Sequence, residues 1–248
     1  IVFFRNYLIL GNTVEAVTER PTRFRWSDVG TIETFQDDNF VDISALAGDE
    51  LIGFAELYGN LYAFLEKSIW KITLVGGDDV FSFNKVIDGI GCVARDSIQI
   101  LRLADNQTVI MFLNENKRMY MFNGLSLVDV GTLIQPTLNL LNETRLKYAV
   151  SAYDDENYYL SSSVSGSSSN DIFLNYQVEV NEWTKHIQID ANSFARVKTS
   201  SLIKLYFGNY DAFVYWLSNP DLDNDIDGAT GISDGATGLI TSPTISGA

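Results

Sequence analysis

The chain has 248 residues, with 32 acidic against 17 basic side chains and a formal charge of −15. That balance excludes a protein that grips nucleic acid through a basic face, because phosphate contacts need clustered Lys and Arg. No apolar run reaches the ~18 residues of a membrane-spanning helix, and the single Cys92 excludes an internal disulfide.

In chain order, the first element is the apolar burst "YLIL" at 7–10, followed after a polar stretch by "FRW" at 24–26. The opening "IVFFRNYLIL" has no Met, no basic start and no small-residue cleavage site. It reads as a strand entered midway, in a chain that is a fragment of something longer. Next come "LYAFL" at 61–65 with "IWKI" at 69–72, then "VIMFL" at 109–113 with "MYMF" at 119–122. "YYL" at 158–160 pairs with "IFLNY" at 172–176, and "IKLYF" at 203–207 with "FVYWL" at 213–217. The connections are short and polar (Glu66-Lys67-Ser68, Asn114-Glu115-Asn116, Asn209-Tyr210-Asp211), as tight hairpins require. The exception is "SSSVSGSSSN" at 161–170, a Ser-rich insertion that reads as an exposed, mobile loop.

The first burst of each pair starts at residue 7, 61, 109, 158 or 203, giving spacings of 54, 48, 49 and 45. A period near fifty with several short strands per unit is the pattern of a β-propeller blade, and no window carries the 3.6-residue stripe of helical repeats. The bursts are nearly continuous rather than alternating, as expected of inner strands covered on both faces. The expected fold is therefore all-β: blade-like repeats over residues 1–218, either forming a propeller alone or belonging to a larger one. The closing aromatics Trp26, Trp70, Tyr120 and Trp216 are assigned to packing between blades. Residues 219–248 lose the large aromatics and read as a Gly/Asp/Thr-rich linker or the start of a further β domain.

Catalytic chemistry is thinly represented. The only histidine, His186 in "EWTKHIQI", reads as a strand-edge residue, and no nucleophile elbow accompanies it. Cys92, in "GIGCVA", reads as a small buried hydrophobe, and a zinc site would need more Cys and His than the chain contains. The acidic pairs Asp37-Asp38, Asp78-Asp79 and Asp154-Asp155 are unremarkable in so acidic a chain. No Asp-box, WD or kelch signature is present. One spacing stands apart: Asp223, Asp225, Asp227, Gly228 and Asp234 fall at positions 1, 3, 5, 6 and 12 of a calcium loop. Position 12 is Asp rather than the bidentate Glu and no helical pattern flanks the loop, so a solvated linker is the competing reading. No other cofactor is implied.

Several phrases taken together resemble a family. Arg25-Trp26-Ser27, Gly48-Asp49, Leu61-Tyr62, Ser68-Ile69-Trp70, Ile90-Gly91-Cys92-Val93 and the hairpin Phe112 to Gly124 follow the order found in tailed-bacteriophage β-propeller proteins. They are most similar to the nozzle, or tail tubular, proteins of short-tailed phages, over about residues 5–135. The resemblance implies a non-enzymatic virion tail protein whose copies form a ring, sixfold in known nozzles. Portal, adaptor, tail or fibre proteins would be its neighbours, and DNA would leave through the bore without specific binding. An acidic channel wall would repel phosphates within about a Debye length, ~8–10 Å. A propeller that binds or cleaves host-surface glycans is the alternative. It calls for aromatic and carboxylate clusters at one mouth, whereas the Trp residues here sit inside strand phrases.

Overall fold

Each pair of apolar bursts becomes the central hairpin of a four-stranded sheet. The computed structural model describes residues 1–44, 48–77, 79–186, 189–198, 203–217 and the backbone of 239–241. Sheet 1 contains β1 (Val2–Phe4), β2 (Tyr7–Glu15), β3 (Thr18–Trp26) and β4 (Phe40–Asp42). Sheet 2 contains β5 (Leu51–Leu57), β6 (Asn60–Leu65), β7 (Ser68–Leu74) and β8 (Phe81–Asp88). Sheet 3 is built from β9 (Gln99–Arg102), β10 (Thr108–Leu113), β11 (Met119–Phe122) and β12 (Leu127–Asp129). Sheet 4 is built from β13 (Val150–Tyr153), β14 (Asn157–Ser162), β15 (Ile172–Gln177) and β16 (Glu182–His186). Sheet 5 comprises β17 (Ser193–Lys198), β18 (Ile203–Gly208), β19 (Val214–Leu217) and β20 (Leu239–Thr241). In every sheet the spatial order of strands is their order in the chain. β20 pairs parallel with β19, at the one place where sheet 5 departs from the antiparallel pattern.

The fold is therefore all-β, and its periodicity is the one written in the sequence. Of the stretch 219–248, only β20 is described, and the calcium-spaced Asp223, Asp225, Asp227 and Asp234 lie outside the described residues. Among the described residues, no helix is long and apolar enough to cross a membrane.

The chain forms two compact units, Ile1–Ile100 with Thr108–Asp129, and Leu101–Gln107 with Val130–Ala248. In the first unit β6 shows why its sequence is continuously apolar. Leu61, Ala63 and Leu65 join Ile9, Phe24 and Trp26 of sheet 1 in one core, with Phe81 of β8 edge-on to Phe24 and Trp26 at 5.5 Å each. The alternate residues Tyr62 and Phe64 join Ile110, Phe112 and Phe122 of sheet 3 in another, with ring pairs Tyr62–Phe122 at 5.1 Å and Phe64–Phe112 at 5.2 Å. A strand whose two faces both meet another sheet has no position left for a solvated side chain. In the second unit, Tyr159 and Phe173 of sheet 4 pack with Leu205, Phe207 and Leu217 of sheet 5.

Trp26, Trp70 and Tyr120 pack between sheets as expected. Trp216 does not. It lies on the opposite face of sheet 5 from Leu205, Phe207 and Leu217, opposite Tyr206 in the register, with the Lys204 ammonium 4.4 Å from its ring centroid. The reason is the two-residue period of a strand: Trp216 neighbours the core residue Leu217 and so points the other way.

The Ser-rich stretch departs from expectation in part: Ser165, Gly166 and Ser168 are exposed, but its flanks are not. Ser161, Ser162, Ser163 and Asn170 are buried, and the loop is bonded at several points to the segment before β13. Asn142 N–H donates to Ser163 O (2.7 Å), Ser165 N–H to Leu140 O (2.8 Å) and Asn142 Nδ2 to Ser167 O (3.0 Å). Arg145 Nε also donates to Ser163 Oγ at 3.1 Å. The amides of Asn142 and Asn170 satisfy backbone carbonyls here, at Ser167, Tyr148 and Ala191. The segment itself has a short 3-10 turn, Thr132–Ile134, running into α1 (Gln135–Leu138), and then a 3-10 helix, Glu143–Tyr148, capped by the Asn142 side chain.

Candidate functional site

The phrases that stand out in the sequence are the joints of the sheets. Asp49 is buried just before β5 and accepts three hydrogen bonds, from Lys67 N–H (2.8 Å), Ser68 Oγ (2.7 Å) and Ser44 Oγ (3.0 Å). Ser68 Oγ in turn accepts from Trp70 Nε1 at 2.9 Å. The Gly-Asp and Ser-Ile-Trp phrases thus form one network that closes the β6–β7 turn. A buried carboxylate with three donors is well compensated, whereas an uncompensated one would be costly.

Ile90-Gly91-Cys92-Val93 joins sheet 2 to sheet 3. Cys92 N–H donates to Leu65 O at the end of β6 (2.8 Å), and Val93 N–H to Leu113 O at the end of β10 (3.0 Å). Asn114 Nδ2 returns a bond to Gly91 O at 3.0 Å. The approach is so close that a Cβ on Gly91 would lie 2.0 Å from Leu65 O. The second unit repeats the device: Asn192 N–H donates to Gly208 O at the end of β18 (2.8 Å), and Asn192 Nδ2 to Asn209 O (2.9 Å). Asn114 and Asn209 hold equivalent places, each accepting turn N–H groups on its own Oδ1.

Cys92 is fully buried, with its thiol donating to Ala94 O at 3.1 Å, and burial pushes its pKa up to about 12. Such a thiol is no nucleophile. His186 ends β16, the edge strand of sheet 4, with its ring 5.9 Å from that of Phe173. Burial lowers its pKa to about 4, so it is neutral at pH 7. Among the described residues, no group of three or more His, Cys, Asp or Glu side chains is placed to hold a metal ion.

What sequence reasoning missed is a groove of about 560 Å³ within the second unit. Three turns wall it: the loop 101–107, the β13–β14 turn and the β15–β16 turn. Tyr153 Oη ties two of them together, accepting from Arg102 N–H (3.3 Å) and donating to Arg102 O (3.1 Å), with Asp155 O also at 2.9 Å. Arg102 is turned back onto Asn106 Oδ1 at 2.8 Å, and Asp155 is paired with Arg196 at 2.6 Å. Val178 N–H donates to Glu156 O (3.0 Å), which joins the third turn to the second. The residues come from three segments, 102–106, 153–156 and 177–179, so no local motif announces them.

No protein-family model matches this chain, and no curated protein matches it. Among solved structures it is similar to a crystal structure of a triple Arg-to-Ala mutant of AofleA from Arthrobotrys oligospora, with 12% identity and a TM-score of 0.41. The match covers 67% of this chain and 54% of that chain, about half its length. At that TM-score the likeness bears on neither topology nor chemistry.

Proposed function

We propose that the chain is a β-propeller module of a bacteriophage virion tail, a non-enzymatic ring component of the nozzle or tail tube through which DNA leaves. One observation supports this most directly. The phrases on which the resemblance to nozzle proteins rests, Gly48-Asp49, Ser68-Ile69-Trp70 and Ile90 to Val93, are the residues that lock one four-stranded sheet and clip it to the next. Five consecutive sheets, each made of strands in chain order, are the raw material of blades around an axis. In this reading sheets 1 to 5 are blades, and the copies form a ring coaxial with the tail. Buried joints and doubly covered strands make such a module stiff, as a spacer under load requires.

Electron microscopy of purified particles, with an antibody fragment raised against this chain, tests the reading. Labels arranged in a ring around the tail axis are expected. Particles without label, from a lysate in which the chain is abundant and free, would remove the tail assignment. Sheets found arranged as one continuous sandwich would remove the propeller.

A further inference from the structure

We infer that copies of this chain meet head to tail through the two ends of sheet 4, a basic, aromatic end in one copy receiving the acidic end of the next. The inference rests on the ring reading and names the faces that meet in the ring. Sheet 4 carries its charge unevenly. The 3-10 helix Glu143–Tyr148 and the loop 163–170 lie at the end where β13 starts, since Val150 pairs with Ser161. The β13–β14 and β15–β16 turns lie at the other end, since Asn157 pairs with Gln177. At the first end Tyr148, 51% exposed, has two cations at its ring, Arg145 Cζ at 5.0 Å and Lys147 Nζ at 5.2 Å. Among the described residues neither cation is paired with a carboxylate, whereas Arg23, Lys85, Arg118 and Arg196 each are. The patch is pinned from beneath. Leu146 is buried, Arg145 Nε donates to Ser163 Oγ at 3.1 Å, and Asn170 Nδ2 donates to Tyr148 O at 3.3 Å. The Nη groups of Arg145 are left to meet a carboxylate, which the planar guanidinium binds well. At the opposite end Glu156, Glu179 and Glu182 are exposed and in no ion pair, and Val180 among them is 50% exposed. Carboxylates around an apolar side chain match cations around an aromatic one, in charge and in apolar contact. The two surfaces differ, so the contact is head to tail, and a repeated head-to-tail contact closes as a ring. Nucleic acid is the wrong partner for two cations on a chain of net charge −15.

The test is sedimentation velocity on the intact purified chain over a wide range of concentration, at about 0.05 M and about 0.5 M sodium chloride. Association is expected at low salt and is expected to weaken at high salt. Its affinity should fall at least about tenfold in Lys147→Gln/Tyr148→Ala and in Glu156→Gln/Glu179→Gln. An equal mixture of the two variants should recover dimers that extend no further, because each variant keeps the end that the other lacks. If Tyr148→Ala lowers the unfolding midpoint, Lys147→Glu alone carries the test. Three results would each overturn the contact: a chain that stays monomeric at low salt, variants that associate as the parent does, or a mixture that yields no dimer. Labels in a ring on particles, together with any of these, would keep the ring and remove this contact. Head-to-tail association by a chain absent from particles would keep the contact and remove the tail.

Discussion

Asp49 concentrates several bonds in one side chain, and its removal is the sharpest single-residue test of the fold. Asp49→Ala strips acceptors from Lys67 N–H, Ser68 Oγ and Ser44 Oγ, and Ser68 then loses the partner that orients it toward Trp70. Leaving a buried donor unmatched costs about 1–3 kcal/mol, so a loss of about 3 kcal/mol is expected for the set in urea denaturation. Asp49→Asn keeps one acceptor and is expected to recover part of it. His186 supplies a test by pH. Its folded pKa of about 4 lies below the ordinary 6.5 because burial disfavours the imidazolium. Between those values the unfolded chain binds more protons, so stability rises with pH from about 4 to 6.5 and is lost on acidification. The full penalty below pH 4 is roughly 3 kcal/mol. His186→Phe is expected to flatten this limb, measured as unfolding free energy at several pH values. Glu66 runs the opposite way. Burial, then the neighbouring Glu50 and Glu115 carboxylates, raise its pKa, so its folded form is favoured by protonation and its contribution declines as pH rises through that raised value. A variant at His186 leaves that second trend in place.

At the scale of elements, the joint is where sequence and structure meet most closely. Gly91→Ala would drive a methyl group into Leu65 O and the Glu66 backbone, atoms that cannot rotate away. Overpacking of this kind costs about 3 kcal/mol. It should also release the Cys92 and Val93 amides, which native-state hydrogen exchange would report as faster exchange at those two positions than at the β6–β7 amides. The central hairpins were legible in the sequence because burial on both faces writes continuous apolar bursts, as in Leu61 to Leu65. Outer strands such as β4 and β12 have three residues each and leave too little pattern to find. The helical turns between Thr132 and Tyr148 run only three to six residues. The Ser-rich loop misled in part by composition, since its flanks are buried and its backbone, with the Ser163 hydroxyl, is bonded to Leu140, Asn142 and Arg145. The groove was invisible for a different reason. It is made of turn residues whose association is a property of the fold and not of any window of sequence.

At the scale of the molecule, the charge of −15 is the property that composition states and packing does not cancel. Some of it is neutralised locally: Arg23, itself buried, holds Glu15 and Asp42 at 2.8 Å each, with the Phe40 ring 3.6 Å from its guanidinium carbon. The remaining carboxylates repel one another, and the compact state crowds them more than the unfolded chain does. Screening should therefore stabilise the fold. Raising ionic strength from about 0.01 M to about 0.15 M shrinks the Debye length from roughly 30 Å to 8 Å, which removes most repulsion between exposed acids while leaving the buried Arg23 contacts nearly intact. An upward shift of the thermal midpoint with sodium chloride at pH 7 is expected, and it should shrink toward the sequence pI of about 4.3, where the net charge vanishes. A midpoint that falls with salt would mean that attractive surface pairs, and not general repulsion, dominate the electrostatics. The same surplus of acid predicts that duplex DNA is not retained by the purified chain in a mobility-shift assay at physiological salt, since there is little cationic surface from which counterion release could draw.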